Sequence, residues 1–141
     1  MLTEKQIDVI AAGMRMRWSK ADFLDGVKAP AYTKTLHGDA DRGAAEYTIF
    51  CASCHGTGGR GGPKGSSIVD PAFLSLASDQ GLRTVVIVGR PDLGAPDWRN
   101  DVPGRAMSDQ EVTDIVAWLS RQRSQNITRL NPADREIRNV R

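Results

Sequence analysis

The sequence predicts an all-α domain built from a few short helices. Apolar residues recur at helical spacing after two good helix caps, Thr3 and Ser108. The chain has 141 residues, which suits one domain, and 40% of them are hydrophobic. It has no apolar run long enough to cross a membrane.

The first predicted helix occupies residues 1–18, and its beginning is repeated near the other end of the chain. Residues 2–14 align without a gap with residues 107–119, and both segments open with a capping box. The boxes are Thr3-x-x-Gln6 and Ser108-x-x-Glu111. The similarity indicates either an internal duplication or two unrelated amphipathic helices with good caps.

Residues 19–37 are predicted to be a linker that runs over the surface. They contain Pro30 and several small or charged residues, a composition typical of connecting segments. We expect the side chain of Tyr32 or Leu36 to dock this linker on the domain that follows.

The motif Cys51-Ala-Ser-Cys54-His55 carries more chemical information than any other part of the chain. On a helical turn, Cys54 lies three residues and His55 four residues after Cys51, so all three side chains project from one face. This spacing is typical of covalent haem attachment. Two thioethers would then fix the haem edge, and the imidazole would bind the iron as the proximal ligand.

Other uses of the two cysteines agree less well with their surroundings. A structural zinc site needs four ligands, and the chain adds only His37 to a motif in which Cys54 and His55 are adjacent. A thioredoxin-like pair would need a βαβ pattern, whereas residues 42–50 are predicted to be helical. A disulfide from Cys51 to Cys54 stays open, although closing so short a loop removes little chain entropy.

A glycine-rich loop at residues 56–65 and two short helices follow the motif. The loop contains a formal G-x-G-x-x-G, but a dinucleotide site would need a strand before it and a helix directly after it. Asp70-Pro71 is predicted to open the first short helix. Ser78 is predicted to cap the second, which Gly89 closes.

The residues around the motif resemble those of class I c-type cytochromes. Gly43, Tyr47 and Cys51 follow at the four-residue steps of that family's first helix, and residues 115–119 look like its last helix. The resemblance covers residues 38–122. It implies the cytochrome c fold, in which a few short helices surround one covalently bound haem. It also implies that the first and last helices cross, with the glycine at the crossing and aromatic side chains packed together.

Three further residues are candidates for contact with a haem. In the family, a glycine and proline after the haem histidine supply a carbonyl that accepts the Nδ1 proton, and Gly62-Pro63 resembles that element. An ordinary turn proline is the alternative. Arg83 and Arg90 are candidates for binding the haem propionates because arginine binds carboxylates well. Exposed surface arginines are the alternative for both.

The chain departs from the family pattern at the sixth iron ligand. Many members carry Gly-Met-Pro on the distal face, and that methionine sulfur binds the iron, whereas the matching run here is Gly94-Ala95-Pro96. Trp98 follows this run and is a candidate haem contact. Met107 is the best-placed replacement for the missing ligand, but its position just before a helix cap also suits packing as a hydrophobic staple.

The resemblance also bears on the two ends of the chain. Residues 1–18 are interpreted as the remnant of a preceding cytochrome domain in a di-haem tandem protein, or simply as another amphipathic helix. Residues 123–141 form a basic C-terminal tail, which suits docking on an acidic redox partner or extension into solvent. The family matures outside the cytoplasmic membrane, so we expect a periplasmic or similar location. The start Met1-Leu-Thr-Glu-Lys lacks a basic and apolar leader, which indicates a processed or truncated chain.

These observations predict one haem c, with its iron, per chain and a role as a one-electron carrier between redox proteins, not an enzyme. Ligation by His55 and Met107 would suit outer-sphere electron transfer. An open sixth position would instead suit small-ligand sensing or peroxidase-like chemistry. A third interpretation is a docking subunit, with a membrane respiratory or dehydrogenase complex as its partner. The net charge of only +2 gives no indication of a nucleic-acid partner.

Overall fold

The computed structural model describes residues 1–19, 24, 26–100 and 102–130. Most of the regular structure in these ranges is α-helix. The helices are α1 (Glu4–Trp18), α2 (Ala40–Phe50), α3 (Ala52–His55), α4 (Pro71–Leu76), α5 (Asp79–Val88) and α6 (Asp109–Leu130). Within the described ranges there is no β-strand, and an isolated bridge joins Arg90 to Ala95. The predicted all-α class is confirmed.

The core lies where α2 packs on α6. A Cβ added at Gly43 would lie 2.0 Å from the carbonyl oxygen of Asp114, so only glycine allows the two backbones to approach this closely. One turn further along α2, the ring of Tyr47 stacks on Trp118 with a centroid distance of 4.5 Å. Both aromatic side chains are buried. The expected packing of a glycine and aromatic residues between the first and last helices of the domain is therefore confirmed.

Helix α4 begins at the predicted Asp70-Pro71 cap, and α5 runs from the predicted Ser78 cap to its predicted end at Gly89. The Asp70 side chain accepts a hydrogen bond from the Phe73 amide, and Pro71 occupies the first turn of α4. The Ser78 hydroxyl accepts from the Gly81 amide at the start of α5. Gly89 ends α5 with φ +70°, a conformation that glycine adopts without strain.

Helices α1 and α6 share the predicted capping boxes but differ in burial. Thr3 and Gln6 exchange hydrogen bonds through their side chains and amides, and Ser108 and Glu111 do the same. No residue of α1 is buried. The matching apolar positions of α6 all lie in the core; they are Val112, Ile115 and Leu119. The apolar face of α1 is thus not covered within the described part of the chain.

Helix α6 continues beyond residue 122, where we expected the domain to end. Its backbone is helical through Leu130. Arg123, assigned to the tail, donates hydrogen bonds to the carbonyl oxygens of Leu74 and Ala77 and pairs with Asp79. The rest of the predicted basic tail, from residue 131, lies outside the described residues. None of the described helices combines the length and apolar character needed to span a membrane.

Residues 29–37, called the strap below, run along the surface of the domain and are hydrogen-bonded to it. Pro30 is buried, and side chains of α5 and α6 hold the strap backbone. The expected docking through Tyr32 or Leu36 is wrong, because both side chains are exposed. The backbone carbonyls of the strap make the contacts instead, as described for Arg83 below.

Candidate haem-attachment site

The Cys51-x-x-Cys54-His55 motif forms the predicted helical turn. Cys51 caps α3, and its carbonyl oxygen accepts hydrogen bonds from the amides of Cys54 at 3.2 Å and His55 at 2.9 Å. All three side chains are partly exposed. One turn of helix therefore brings two thiols and an imidazole together, at the end of α2 and next to the core.

The imidazole of His55 is oriented by the backbone of a later residue. Its Nδ1 lies 2.8 Å from the carbonyl oxygen of Ser66. A carbonyl oxygen can only accept a hydrogen bond, so Nδ1 is the donor and Nε2 is the ring nitrogen left to face a metal. The expected acceptor next to Pro63 is thus not the one that the structure shows. The loop passes Pro63, which is exposed, before its backbone reaches the ring at Ser66.

Residues 56–67, called the proximal loop below, are fixed to the core at several points. The hydroxyl of Tyr47 donates to the carbonyl oxygen of Gly56 at 2.5 Å, which connects the loop to the α2–α6 packing. The Gly61 amide donates to the His55 carbonyl at 2.9 Å. At the far end of the loop, the hydroxyl of Ser67 donates to the carbonyl of Gly59 at 3.1 Å. These bonds give the His55 ring a rigid support.

The surroundings of the cysteines fit a large apolar cofactor. Cys51 packs against the hydrophobic core. Burial, and secondly the neighbouring Cys54, raises the pKa of the Cys51 thiol to about 11, so the thiol stays protonated at neutral pH. Elsewhere in the described chain, in α5 and just after it, the large apolar side chains of Val85, Val88 and Leu93 are exposed. Two thiols and an imidazole on one helical turn beside the core are the groups that covalent haem attachment requires.

The contacts of Arg83 agree with neither of its expected roles, which were propionate binding and an exposed surface position. Its side chain is only 2% exposed, so it is not a surface arginine. All three guanidinium nitrogens donate to protein groups: the carbonyls of Ala31 and Tyr32, the hydroxyl of Thr113 and the carboxylate of Asp109. These bonds hold the strap on α5 and α6. Every guanidinium nitrogen already has a protein partner, so none is left to bind a haem propionate.

Arg90 makes a local ion pair at the surface. Its Nε and Nη2 donate to the two carboxylate oxygens of Asp92 at 2.9 and 2.7 Å. Both side chains are exposed, so the pair can open at little cost in free energy. A propionate contact by Arg90 stays a prediction.

Met107 and Trp98 are both buried, and a backbone hydrogen bond joins them. The Met107 amide donates to the Trp98 carbonyl at 2.8 Å, and the Trp98 amide donates to the Ile87 carbonyl at 3.2 Å. Met107 is 7% exposed and belongs to the same core cluster as Val112, the residue with which a hydrophobic staple before the Ser108 cap would pair it. Ala95 forms the bridge with Arg90. The burial of Met107 suits packing, and its ligation of iron stays a prediction.

A polar network between the start of α2 and α6 was missed in the sequence. The buried carboxylate of Asp114 accepts hydrogen bonds from the Asp39 amide, the Arg42 guanidinium and the Gln110 amide side chain. Burial opposes ionisation, but these donors outweigh it and hold the pKa of Asp114 below its usual range. The sequence signal that could have revealed this network is Asp114 itself, a charged residue between the apolar positions of α6.

Comparison with known proteins gives a consistent result. The family described as cytochrome c oxidase, cbb3-type, subunit III matches residues 38–119. The cytochrome bc1 complex cytochrome c subunits of Mycobacterium bovis and Mycobacterium tuberculosis are each 29% identical over 117 residues, which are 82% of this chain and 39% of the relative. The chain thus spans about two fifths of the length of these curated relatives. No solved structure gave a significant match.

Proposed function

This chain belongs to the cytochrome c family described as cytochrome c oxidase, cbb3-type, subunit III, and we propose on that premise that it carries single electrons between redox proteins. The family implies covalently bound haem c with its iron. The single pair Cys51 and Cys54 is consistent with one haem per chain. When bound, the haem supplies one-electron exchange between ferric and ferrous iron.

The observation that carries the proposal is the orientation of His55. Its Nδ1 is held by the Ser66 carbonyl at 2.8 Å, so Nε2 is the nitrogen left for the iron. Cys51 and Cys54, on the same helical turn, would hold the haem through thioethers. The chain's own role is to bind the haem, to orient the axial imidazole and to cover the cofactor with apolar side chains.

Covalent attachment tests this proposal directly. The protein, produced in a host that attaches haem to Cys-x-x-Cys-His motifs, should keep its haem through extraction with acidified organic solvent. Cys51→Ala with Cys54→Ala should lose it, whereas Ser53→Ala, an exposed position inside the same motif, should keep it. A colourless wild-type protein, or haem that extracts completely, would contradict the proposal.

We further propose Met107 as the sixth iron ligand, which would make the protein a carrier and not a sensor or peroxidase. In support, Met107 is the only methionine of the described residues that is buried, and its backbone is fixed by the bond to Trp98. A methionine ligand raises the potential and suits outer-sphere electron transfer. An open position at Ala95 would instead favour binding of small ligands.

The uncovered apolar face of α1 supports a place in a larger assembly. The relatives are named as subunits of a cytochrome bc1 complex, so we propose a respiratory complex as the partner and a location outside the cytoplasmic membrane. We also propose that residues 1–18 close a preceding cytochrome domain. The capping boxes of α1 and α6 match, and Ile7, Ile10 and Met14 repeat the core positions of α6 while staying exposed.

A further inference from the structure

The side chain of Asn100 joins three points of the backbone that leads from Trp98 to Met107. Its Nδ2 donates to the carbonyl oxygens of Arg105 at 2.8 Å and of Trp98 at 3.3 Å. Its Oδ1 accepts a hydrogen bond from the Val102 amide at 2.5 Å. Turning the side-chain amide over would place Oδ1 against two carbonyl oxygens, which cannot donate, so these bonds allow one orientation.

The backbone of Asn100 has a conformation that few side chains tolerate. Its φ of +47° lies in the left-handed region, and among the residues that the structure describes it is the one non-glycine residue with a positive φ. Asparagine and aspartate enter this region more readily than other side chains. Aspartate would therefore keep the backbone conformation and the shape of the side chain, and would lose only the Nδ2 donor.

The bonds of Asn100 act on both sides of the backbone at Met107. The Trp98 carbonyl that accepts from Nδ2 also accepts from the Met107 amide at 2.8 Å. Arg105, whose carbonyl is the second acceptor, lies two residues before Met107. Trp98 and Met107 are both buried, so this backbone runs along the edge of the core. Asn100 thus fixes the approach of the chain to Met107.

We propose that Asn100 is a positioning residue for the sixth iron ligand, since its side chain fixes the backbone that carries Met107. This inference rests on the proposed function, because it takes Met107 as that ligand. Groups that hold a ligand in place strengthen its bond to the metal. In Asn100→Asp, a carboxylate oxygen would face the carbonyl oxygens of Trp98 and Arg105. Their repulsion should release the backbone and weaken the bond from sulfur to iron.

The test compares haem-loaded wild-type protein, Asn100→Asp and Gly104→Ala. Gly104 lies in the same segment with φ +70° and nothing within 4 Å of its Cβ position, so its substitution strains the backbone and leaves the bonds of Asn100 in place. The far-red sulfur-to-iron absorption band of the oxidised Asn100→Asp protein should fall about tenfold, because two carbonyls lose a donor. Carbon monoxide should bind to the reduced variant. Gly104→Ala should lower the melting temperature and keep the band.

An undiminished band in Asn100→Asp would overturn this inference alone, and so would equal losses of the band in both variants. A wild-type protein without the band, or without covalent haem, would overturn it together with the proposed function. If Asn100→Asp does not accumulate, nuclear magnetic resonance of the reduced wild-type protein decides. Slow hydrogen exchange of the Asn100 side-chain amide supports the inference, and exchange as fast as in free asparagine overturns it.

Discussion

Gly43 of α2 meets the backbone of Asp114 in α6 with no space for a side chain, since a Cβ there would lie 2.0 Å from the Asp114 carbonyl oxygen. This contact allows the rings of Tyr47 and Trp118 to stack one turn away. Because Tyr47 also holds the Gly56 carbonyl, the helix packing and the proximal loop are connected. The support of the axial histidine thus begins at the helix crossing.

Gly43→Ala should destabilise the domain strongly. The clash is with backbone, so α2 and α6 must separate, and we expect a loss at the upper end of the about 1–3 kcal/mol typical of overpacking. Gly13→Ala is the matched control, because Gly13 is also helical but has nothing within 4 Å of its Cβ position. Denaturant unfolding of both variants measures the difference, and equal free energies of unfolding would contradict the tight crossing.

Arg83→Met should cost far more stability than Arg90→Met. Loss of the Arg83 guanidinium removes the buried ion pair with Asp109 and the two hydrogen bonds to the Ala31 carbonyl, which predicts a loss of about 3 kcal/mol. The Arg90–Asp92 pair is exposed, and its loss should cost less than about 1 kcal/mol. Thermal melts compare the two. A changed midpoint potential in Arg90→Met at unchanged stability would support its predicted propionate contact.

Glu46→Gln should stabilise the protein at alkaline pH. One carboxylate oxygen of Glu46 is buried without a hydrogen-bond partner in the described structure. Burial and the carboxylates of Asp114 and Glu111, only partly offset by Arg42 and Arg105, raise the pKa of Glu46 to about 7.

The raised pKa of Glu46 fixes the sign of this pH dependence. Below about pH 4.5 the carboxyl is protonated in both the folded and unfolded states, so it favours neither. As the pH rises towards 7, the unfolded chain ionises first and the wild type loses stability. Melting temperatures of Glu46→Gln and wild type should therefore diverge between pH 5 and 8. The exposed Asp8→Asn should show no such divergence.

Met107→Leu should separate the two roles of Met107. If Met107 binds iron, the far-red sulfur-to-iron absorption band of the oxidised protein disappears, and carbon monoxide binds to the reduced variant but not to the wild type. Leucine keeps most of the buried volume, so the fold should lose less than about 1.5 kcal/mol. The exposed Met14→Leu serves as the control. If Met107→Leu and wild type have identical spectra, Met107 does not bind iron and contributes only to packing.

Ile115→Lys and Ile10→Lys should differ although they occupy matching positions of the repeated segment. Ile115 is 1% exposed in the core, so a buried lysine there should unfold the domain. Ile10 is 49% exposed, so its substitution should leave the melting temperature within about 2 °C of wild type. A large loss of stability in Ile10→Lys would contradict the exposed face of α1. If Ile10→Lys co-purifies less well with a respiratory complex than the wild type does, the exposed face of α1 is supported as a docking surface.

The sequence by itself determined the features that depend on a few neighbouring residues. Caps at Asp70, Ser78 and Ser108 set the starts of α4, α5 and α6, because a cap needs only the side chain and the next three amides. The spacing of Cys51, Cys54 and His55 likewise specifies one helical turn. Fold class and haem attachment could therefore be predicted without tertiary information.

The tertiary structure alone decided which distant groups meet. Ser66, and not the residues at Pro63, supplies the acceptor for His55, eleven residues away. The buried Arg83 donates to carbonyls of the strap, about fifty residues earlier in the chain. Hydrogen bonds between such segments depend on how loops approach in three dimensions, and residue type and spacing do not encode that approach.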